Sequence, residues 1–307
     1  MTLATNYKAA AFMALAMSGF IINDVIVKTL TDEINYGQVM FVRGLMMVVL
    51  LAALIAYKKH SITIKQIKSG PMLLRVSLEA VATTFFLIGF SNLPVANASA
   101  IMQALPLAVT LGAYLFLKEP VGWRRLSAIL IGLVGVLIII RPGLEGFNIY
   151  SLAILTVVIL AAGRDIVTRL LDRDISPFYV SLLAAIAVTV LGAVLIVPFG
   201  GWRPMNLHIF GTLMLAAGFL FVGYHFIVLA MRDGDIATVA PFRYAALLWA
   251  VILGYLVFDD LPDLWTVIGS IIVVGSGLYA IFREHQRNKS IKVISKSASQ
   301  IPGGRGT

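Results

Sequence analysis

The segment VANASAI (residues 95–101) begins a long apolar run that contains Pro106 and ends in the charged turn YLFLKEP (114–120). This run is long enough to cross a bilayer as a helix. A related run begins with IATVAP (236–241) and ends with YLVFDDL (255–261). Each copy opens with small residues, contains a proline and closes with a Tyr-Leu pair and an acid. Two copies of one helix and its turn predict an internal repeat.

The composition of the chain indicates an integral membrane protein. The 307 residues are 60% hydrophobic and 13% charged, with a mean hydropathy of +0.94. Soluble domains contain about 25% charged residues, so this chain has too few to cover a surface that faces water. It has no cysteine, which excludes a disulfide, a thiol nucleophile and a thiolate metal site. Its histidines do not have the i, i+4 spacing of a helical zinc site, so we expect neither a metal nor a cofactor.

Ten apolar segments of about 20 residues predict ten transmembrane helices, and the fold class is therefore all-α. Each segment is too long and too continuously apolar for the alternating strands of a barrel. The first is interpreted as a retained span, because Asn23, Asp24 and Lys28 interrupt it and no cleavage site of small residues lies nearby. The predicted helices, numbered 1 to 10, are approximately 9–30, 37–57, 71–90, 95–117, 125–141, 149–171, 177–198, 208–231, 236–258 and 264–282.

Basic residues are distributed unequally between the two sides of these helices. The turn after helix 4 carries Lys118, Arg124 and Arg125, whereas the turn after helix 9 carries Asp259 and Asp260. Because basic loops favour the cytoplasm, both termini are predicted to be cytoplasmic, in a multi-pass protein of a bacterial inner membrane. The net charge of +9 is interpreted as a collar that contacts membrane lipid, and nucleic acid is not expected as a partner.

A repeat that begins at helix 6 divides the chain into two five-helix halves, residues 1–143 and 144–283. Five is an odd number, so the halves have opposite orientations, in agreement with the opposite charges of the two turns. Inverted repeats are typical of secondary transporters, which bind substrate near the midplane. Residues 284–307 are polar and basic, and we predict a disordered cytoplasmic tail. This tail is either a topology anchor or a segment that binds lipid or a partner.

Several motifs resemble the EamA-type repeat of the drug/metabolite transporter superfamily. They are the two repeated segments, the glycine-rich helices that follow them (around 132–136 and 269–277), FVRG at 41–44 and Pro142-Gly143. The resemblance implies a ten-helix carrier that moves a small metabolite by alternating access, usually driven by an ion or solute gradient. The chain departs from the family pattern at Asp259-Asp260, where a single glutamate is usual. APFRY (240–244) with Trp249 is similar to the branch that carries S-adenosylmethionine-like or vitamin-like molecules.

Charged residues inside the predicted helices are candidates for the binding site. A charge at the centre of a bilayer costs about 2.5–3.5 kcal/mol, so it should face a cavity or a partner. Asp24 can pair with Lys28 one turn later or line a cavity beside Asn23. Arg43 suits a substrate carboxylate or phosphate, or it neutralises Asp24 or Glu79. A carboxyl group removed from water holds its proton to higher pH, so Glu79 or Asp24 is the expected site of a coupling proton, unless an arginine neutralises it.

The second half supplies further candidates. Arg164-Asp165 on helix 6 either corresponds by symmetry to Asn23-Asp24 or belongs to a structural network with Arg169 and Arg173. Arg243-Tyr244 falls opposite Met102-Gln103 in the repeat register, near a proline in each helix, and we expect the floor of the cavity there. The predicted substrate-binding residues are Asn23, Asp24, Arg43, Glu79, Gln103, Tyr224, His225, Arg243, Tyr244 and Trp249.

These features predict a carrier and not an enzyme. Opposite charges in one cavity suit a zwitterion that resembles an amino acid or S-adenosylmethionine, carried with proton coupling. A vitamin-like aromatic compound such as riboflavin is the alternative cargo. An intramembrane enzyme would need a nucleophile–base pair or a metal cluster, and the sequence contains neither pattern. A channel is the other alternative. The glycine-rich helices 5 and 10 are interpreted as scaffold or as a homodimer face, which leaves a monomer or a homodimer.

Overall fold

The computed structural model describes residues 3–58, 67–144, 146–171, 174–233 and 239–299. Arg173, the start of the second repeated segment (236–238) and residues 300–307 of the tail lie outside these ranges. The described residues form ten helices that are long and apolar enough to cross a membrane, joined by turns, which confirms the predicted fold class. The helices are α1 (Leu3–Leu30), α2 (Tyr36–Lys58), α3 (Gly70–Ser91), α4 (Val95–Phe116), α5 (Trp123–Ile140), α6 (Tyr150–Thr168), α7 (Pro177–Leu195), α8 (Leu207–Asp233), α9 (Ala240–Phe258) and α10 (Leu264–Ser299).

Helix α10 continues to Ser299, well beyond its apolar part. The composition of residues 284–307 predicts disorder, so the first part of the tail differs from that expectation. The segment extends a helix that is already nucleated by its membrane span, and adding residues to an existing helix costs less than starting a new one.

The short connections make successive helices antiparallel, so the helix ends gather at two faces of the bundle. One face, which we call the basic side, contains the connections with Lys68, Lys118 and Arg169. The other, the acidic side, contains the connections with Asp32 and Asp260.

The turns that end α4 and α9 have the same backbone geometry. Lys118 and Asp259 occupy equivalent positions, and both adopt a left-handed conformation, with φ of 53° and 55°. The amide of Glu119 donates to the carbonyl of Ala113 (3.2 Å), and the amide of Asp260 donates equivalently to Gly254 (3.1 Å). The two copies identified in the sequence therefore form one structural motif twice, although one turn is basic and the other acidic.

Helices α4 and α9 are also irregular near equivalent positions. The first part of α4 ends at Met102, and regular helix resumes at Leu105, next to Pro106. In α9 the segment Ala240–Tyr244 is a 3₁₀ helix that contains Pro241. Proline lacks an amide hydrogen and cannot complete the α-helical bonding pattern, which explains both interruptions.

The contacts between helices repeat when the chain is shifted by five helices. Helix α1 packs on α8 as α6 packs on α3, and α4 contacts α6 as α9 contacts α1. The pairs α2–α7 and α5–α10 each join a helix to its own counterpart. This pattern is the one expected from two repeats related by a two-fold axis in the membrane plane. The largest buried core lies around α4, where Ile101 and Leu107 pack with residues of α5, α6 and α10.

The glycine-rich parts of α5 and α10 pack against each other. A Cβ on Gly269 would lie 2.6 Å from the carbonyl oxygen of Gly135, and a Cβ on Gly135 would lie 3.0 Å from the carbonyl oxygen of Gly269. Only glycine allows two helix backbones to approach this closely. The close packing of these helices, which the sequence predicts, is present.

Asp263 on the acidic side caps α10 and joins the two halves. Its Oδ1 accepts a hydrogen bond from the amide of Thr266 (2.8 Å), and its Oδ2 accepts one from the guanidinium of Arg141. Partial burial alone would raise the pKa of Asp263, but the hydrogen bonds from Thr266 and Arg141 outweigh it and lower the pKa. A lowered pKa means that the carboxylate stabilises the fold above its unfolded pKa, and that this contribution is lost as the pH falls through the folded value.

We expect Asp263→Ala to lower the free energy of unfolding by about 1 kcal/mol at neutral pH, the usual effect of losing a helix cap. Asp263→Asn keeps the cap and should cost less, because exposed ion pairs contribute about 0–1 kcal/mol. Thermal unfolding of the detergent-purified protein measures both. The difference in melting temperature between wild type and Asp263→Asn should stay constant down to about pH 4 and shrink below it. A difference in melting temperature that is unchanged at pH 3 would contradict the role of the ion pair.

Candidate functional site

A cavity of about 510 Å³ lies inside the bundle, within the range of pockets that bind small molecules. Helices α1, α2, α3, α4, α6, α7 and α8 line it. The cavity extends from Arg43, near the acidic end of α2, to Thr168 and Phe178, at the basic ends of α6 and α7. It therefore reaches the basic side of the bundle. Six of the predicted binding residues line it: Asn23, Asp24, Arg43, Glu79, Tyr224 and His225.

The end of the cavity nearer the acidic side contains the cluster of Asn23, Asp24 and Arg43. Nη1 of Arg43 donates to the side-chain oxygen of Asn23 (3.3 Å), and Nδ2 of Asn23 donates to Oδ1 of Asp24 (2.8 Å). Asn23 is 1% exposed, and Arg43 is also buried. Asn23 thus lies between the opposite charges, and the described residues form no direct ion pair with Asp24. We call this group the deep cluster.

Lys28 does not pair with Asp24, although the i, i+4 spacing allows it. Its ammonium donates to the carbonyl of Leu93 and lies 4.9 Å from the centre of the Phe258 ring. The long side chain extends toward the acidic side, so that its charged end lies outside the apolar interior. Lys28 consequently joins α1 to the α3–α4 connection and to the end of α9.

The part of the cavity nearer the basic side contains a chain of four charged residues, Arg75, Glu79, Arg164 and Asp165, which we call the inner cluster. Nη1 of Arg164 on α6 donates to both carboxylate oxygens of Glu79 on α3, each at 3.1 Å. Nε of Arg164 donates to Oδ1 of Asp165 (2.9 Å). Nη2 of Arg75 lies 3.6 Å from Oε2 of Glu79. The cluster therefore contains two positive and two negative groups and joins the two halves.

The inner cluster changes two sequence-based interpretations. Both carboxylate oxygens of Glu79 accept hydrogen bonds from Arg164, an arrangement that favours the alternative to its role as a proton carrier. Arg164 and Asp165 do interact, although adjacent helical residues point in different directions, because the arginine side chain is long enough to fold back. Of the alternative network, Arg169 pairs instead with Glu119 at 2.7 Å, and Arg173 lies outside the described residues.

Four predicted residues do not line the cavity. The hydroxyl of Tyr244 is buried against Gly277 of α10, because the 3₁₀ segment turns this side chain away from the cavity. Trp249 packs on the apolar core, and Gln103 is buried at the break in α4. Arg243 is exposed and does not line the cavity. The floor expected from α4 and α9 comes instead from α4 alone, through Met102 and Leu105.

Sequence reasoning also missed some lining residues. Arg75 lines the cavity but was not among the predicted binding residues, although its i, i+4 spacing from Glu79 was a visible signal. Phe178 and Ser181 bring α7 into the cavity wall. Helix α7 is continuously apolar, so no pattern in it distinguished a cavity face from a lipid face.

The acidic side of the bundle is closed by hydrogen bonds between the two halves. The side chain of Gln38 exchanges two hydrogen bonds with the backbone of Arg203, at 2.9 and 3.0 Å. The guanidinium of Arg203 donates to the carbonyl of Asp32 (2.9 Å), and Asn35 donates to the carbonyl of Gly201. We call this group the acidic-side clasp. With the cavity open toward the basic side, the clasp defines one state of an alternating-access cycle.

A single cysteine can report on this closure because the chain has none of its own. We expect Thr83→Cys, in the cavity wall, to react with a membrane-impermeant maleimide from the basic side of proteoliposomes and much more slowly from the acidic side. Adding Gln38→Ala removes two bonds of the clasp and should raise labelling from the acidic side about tenfold. Thr212→Ala is the control, since that hydroxyl bonds only within its own helix. Equal rates in both double variants would contradict the clasp.

An internal cavity with charged walls, closed on one side of a ten-helix bundle, defines the protein as a membrane carrier of small molecules. The model of the EamA-like transporter family matches the chain twice, over residues 7–141 and 148–282, and the protein belongs to this family. The resemblance found in the sequence is thereby confirmed, and the protein is a metabolite transporter.

Known proteins support this assignment. The chain is similar to the S-adenosylmethionine uptake transporter of Rickettsia bellii, with 27% identity over 85% of this chain and 89% of that protein. It is also similar to the riboflavin transporter of Brucella anthropi, with 28% identity over 68% of this chain and 75% of that protein. A solved crystal structure with 15% identity covers 89% of this chain and 98% of its own, with a TM-score of 0.60, and shares the fold.

Proposed function

We propose that this carrier imports a zwitterionic metabolite with an additional cationic group, and that S-adenosylmethionine is its cargo. The observation that carries the proposal is the presence of two clusters of opposite charges, the deep and inner clusters, at two depths of one cavity. Such clusters can receive a carboxylate at a guanidinium and cations at carboxylates. The similarity to uptake transporters for S-adenosylmethionine supports the same cargo.

The chemistry of S-adenosylmethionine matches the walls of the cavity. Its ammonium and sulfonium groups suit Asp24 and Asp165, and its carboxylate suits an arginine. Its purine ring suits the aromatic side chains of Phe86 and Tyr224, which also line the cavity.

The charges of the connections between helices indicate how the protein is oriented in the membrane. The basic side faces the cytoplasm of a bacterial cell, with both termini there, and the protein lies in the inner membrane. Residues 1–143 and 144–283 are the two inverted repeats, and residues 284–307 are a cytoplasmic extension. The repeated contacts between helices and the two family matches support this division.

The cargo is tested by thermal unfolding of the detergent-purified protein with S-adenosylmethionine, amino acids, riboflavin and quaternary amines. A ligand at 100 times its dissociation constant stabilises by about 2.7 kcal/mol, which raises the melting temperature measurably. We expect a shift with S-adenosylmethionine and saturable uptake of it into proteoliposomes. Absence of both would refute the proposed cargo, and unitary currents without saturable uptake would indicate a channel.

Riboflavin is the second candidate cargo. It is favoured by the similarity to riboflavin transporters and by the aromatic rings in the cavity wall. A shift with riboflavin alone, unaffected by Arg43→Ala, would replace the first proposal. In that case Tyr224 and Phe86 would provide the main contacts with the cargo, and the charged clusters would join the two halves of the protein.

Transport is proposed to be coupled to a proton carried by Asp24. Glu79, the other candidate, accepts two hydrogen bonds from Arg164, so its use as the carrier would disrupt an ion pair. Asp24 has only the neutral amide of Asn23 as a hydrogen-bond partner among the described residues, so it can accept a proton without breaking an ion pair. We expect Asp24→Asn to flatten the pH dependence of uptake between pH 5 and pH 8, about the range in which a desolvated carboxyl group titrates. Glu79→Gln should reduce uptake at every pH, and a flat profile in that variant would assign the proton to Glu79.

A further inference from the structure

Arg75 of α3 has donors that the protein leaves unused. Its side chain is 13% exposed, yet its Nε and Nη1 atoms are buried without a hydrogen-bond partner among the described residues. Buried polar atoms are nearly always paired, so a buried guanidinium with two unpaired nitrogens needs an explanation. Arg75 also lines the cavity. Neither atom has exposed surface, so a ligand in the cavity supplies the missing acceptors once the guanidinium turns toward it.

The other members of the inner cluster explain why Arg75 remains available. Both oxygens of Glu79 accept hydrogen bonds from Arg164, and Arg75 is 3.6 Å from the nearer oxygen, beyond hydrogen-bond length. Arg43, the arginine of the deep cluster, is already engaged with Asn23. The guanidinium of Arg75 is therefore charged, close to the cavity and only partly compensated.

Asp165 offers the complementary position at the other end of the inner cluster. Both of its contacts with Arg164, at 2.8 and 2.9 Å, fall on Oδ1. Its side chain is about one-third exposed in the cavity wall, so Oδ2 can meet a cation of the cargo. Arg75 and Asp165 thus lie on either side of the Glu79–Arg164 pair. Arg75 offers a free donor group, and Asp165 offers a free acceptor group.

We propose that the inner cluster is the subsite for the amino-acid head group of the cargo, with the carboxylate bound by Arg75 and the ammonium bound by Asp165. This inference rests on the proposed function, because it concerns a cargo with such a head group. It assigns the carboxylate to a residue other than Arg43 and Arg243, the arginines that the sequence suggested. The remainder of the cargo extends toward the deep cluster, past Phe86 and Tyr224. A zwitterionic head group adds no net charge to a cluster that is already neutral.

The test compares two probes that differ in the head group. S-adenosylmethionine has the carboxylate and the ammonium, whereas 5′-methylthioadenosine lacks both and keeps the nucleoside. Equilibrium binding of each is measured with the purified full-length protein as wild type, Arg75→Gln and Asp165→Asn. Arg124→Gln is the matched control, since that arginine lies outside the cavity over the ring of Trp123. Melting temperatures without ligand establish that each variant is folded.

Arg75→Gln should weaken binding of S-adenosylmethionine by about tenfold or more, the usual effect of losing a hydrogen bond to a charged group. Binding of 5′-methylthioadenosine should change less than twofold, and Arg124→Gln should change neither. If Arg75→Gln does not fold, Arg75→Lys keeps the charge and should still lose part of the affinity for S-adenosylmethionine only.

Three results would overturn the subsite, and they differ in what else they affect. Wild-type protein that binds S-adenosylmethionine, with equal affinity in Arg75→Gln, overturns the subsite and leaves the proposed cargo intact. Wild-type protein that does not bind S-adenosylmethionine overturns the cargo and the subsite together. Equal losses of affinity for both probes in Arg75→Gln would also reject the subsite, because they would indicate a general distortion of the cavity.

Discussion

Arg164→Ala should destabilise the protein more than any other single loss of charge in the cavity. Arg164 is the common partner of Glu79 on α3 and of its neighbour Asp165. The side chains of Arg164 and Glu79 are 23% and 18% exposed, inside a membrane-spanning bundle. Alanine would leave two carboxylates there with Arg75 as their nearest basic partner in the cluster. Removing one partner of a buried ion pair costs about 3–5 kcal/mol, a large fraction of the total stability of a typical fold.

The comparison with Arg169→Ala isolates the effect of burial. Arg169 also joins the two halves through an ion pair, with Glu119 at 2.7 Å, but both side chains are about half exposed, at 46% and 50%. Such a pair contributes about 0–1 kcal/mol, so Arg169→Ala should hardly change the melting temperature. Both variants lose one arginine from the same end of α6, so net charge and helix position are matched.

A double variant separates the loss of the pair from the loss of packing. Glu79→Ala together with Arg164→Ala should be more stable than Arg164→Ala alone, because it removes one of the unpaired carboxylates. Thermal unfolding in detergent measures all three proteins. Equal melting temperatures for Arg164→Ala and Arg169→Ala would mean that water reaches the inner cluster freely and that the pair is not buried in the folded protein.

The architecture was predictable because membrane spans leave a strong signal. Apolar runs of about 20 residues give the number of helices. The repeat of five helices shows which helices of the two halves correspond. The predicted helix 7 began at residue 177, and α7 begins at Pro177. The repeated turn was equally visible, since a Tyr-Leu run followed by an acid recurs where Lys118 and Asp259 both become left-handed.

The partners of the charged residues were less predictable. Helical spacing shows which residues share a face of one helix, and on this basis Lys28 was a partner for Asp24. In the folded protein Lys28 instead contacts Leu93, which is 65 residues away in sequence. Glu79 and Arg164 are 85 residues apart, and only the packing of α3 on α6 brings them together. Long flexible side chains therefore choose partners that depend on tertiary structure.

The local backbone conformation explains the other differences between the predicted and the observed positions of the site residues. Tyr244 was expected in the cavity because the repeat register aligns it with Gln103. The 3₁₀ segment around Pro241 changes the direction of side chains relative to an α-helix, and Tyr244 packs into the space left by Gly277. A register taken from sequence assumes regular helix in both copies, so it fails where one copy changes its helical type.

Gly192→Val should prevent formation of the α2–α7 interface and remove most of the folded carrier. A Cβ at residue 192 would lie 2.6 Å from the amide nitrogen of Phe41 and 3.0 Å from the carbonyl oxygen of Gly37. Both are backbone atoms of α2, so no side-chain rotation relieves the overlap. Overpacking costs about 1–3 kcal/mol where side chains can adjust, and more is expected where two helix axes must separate. The yield and the melting temperature of the purified protein measure the effect.

Gly218→Val in α8 is the matched control, because a Cβ there meets no atom within 4 Å. The same substitution in the same kind of helix should leave stability nearly unchanged, since valine is no worse than glycine in a helix interior. The α2–α7 interface also adjoins the cavity, where Gly44 contacts Thr189. Any folded fraction of Gly192→Val should therefore bind cargo weakly, because separating these helices widens the wall that contains Arg43. A Gly192→Val protein that melts and binds like Gly218→Val would show that α2 and α7 do not approach this closely in the membrane.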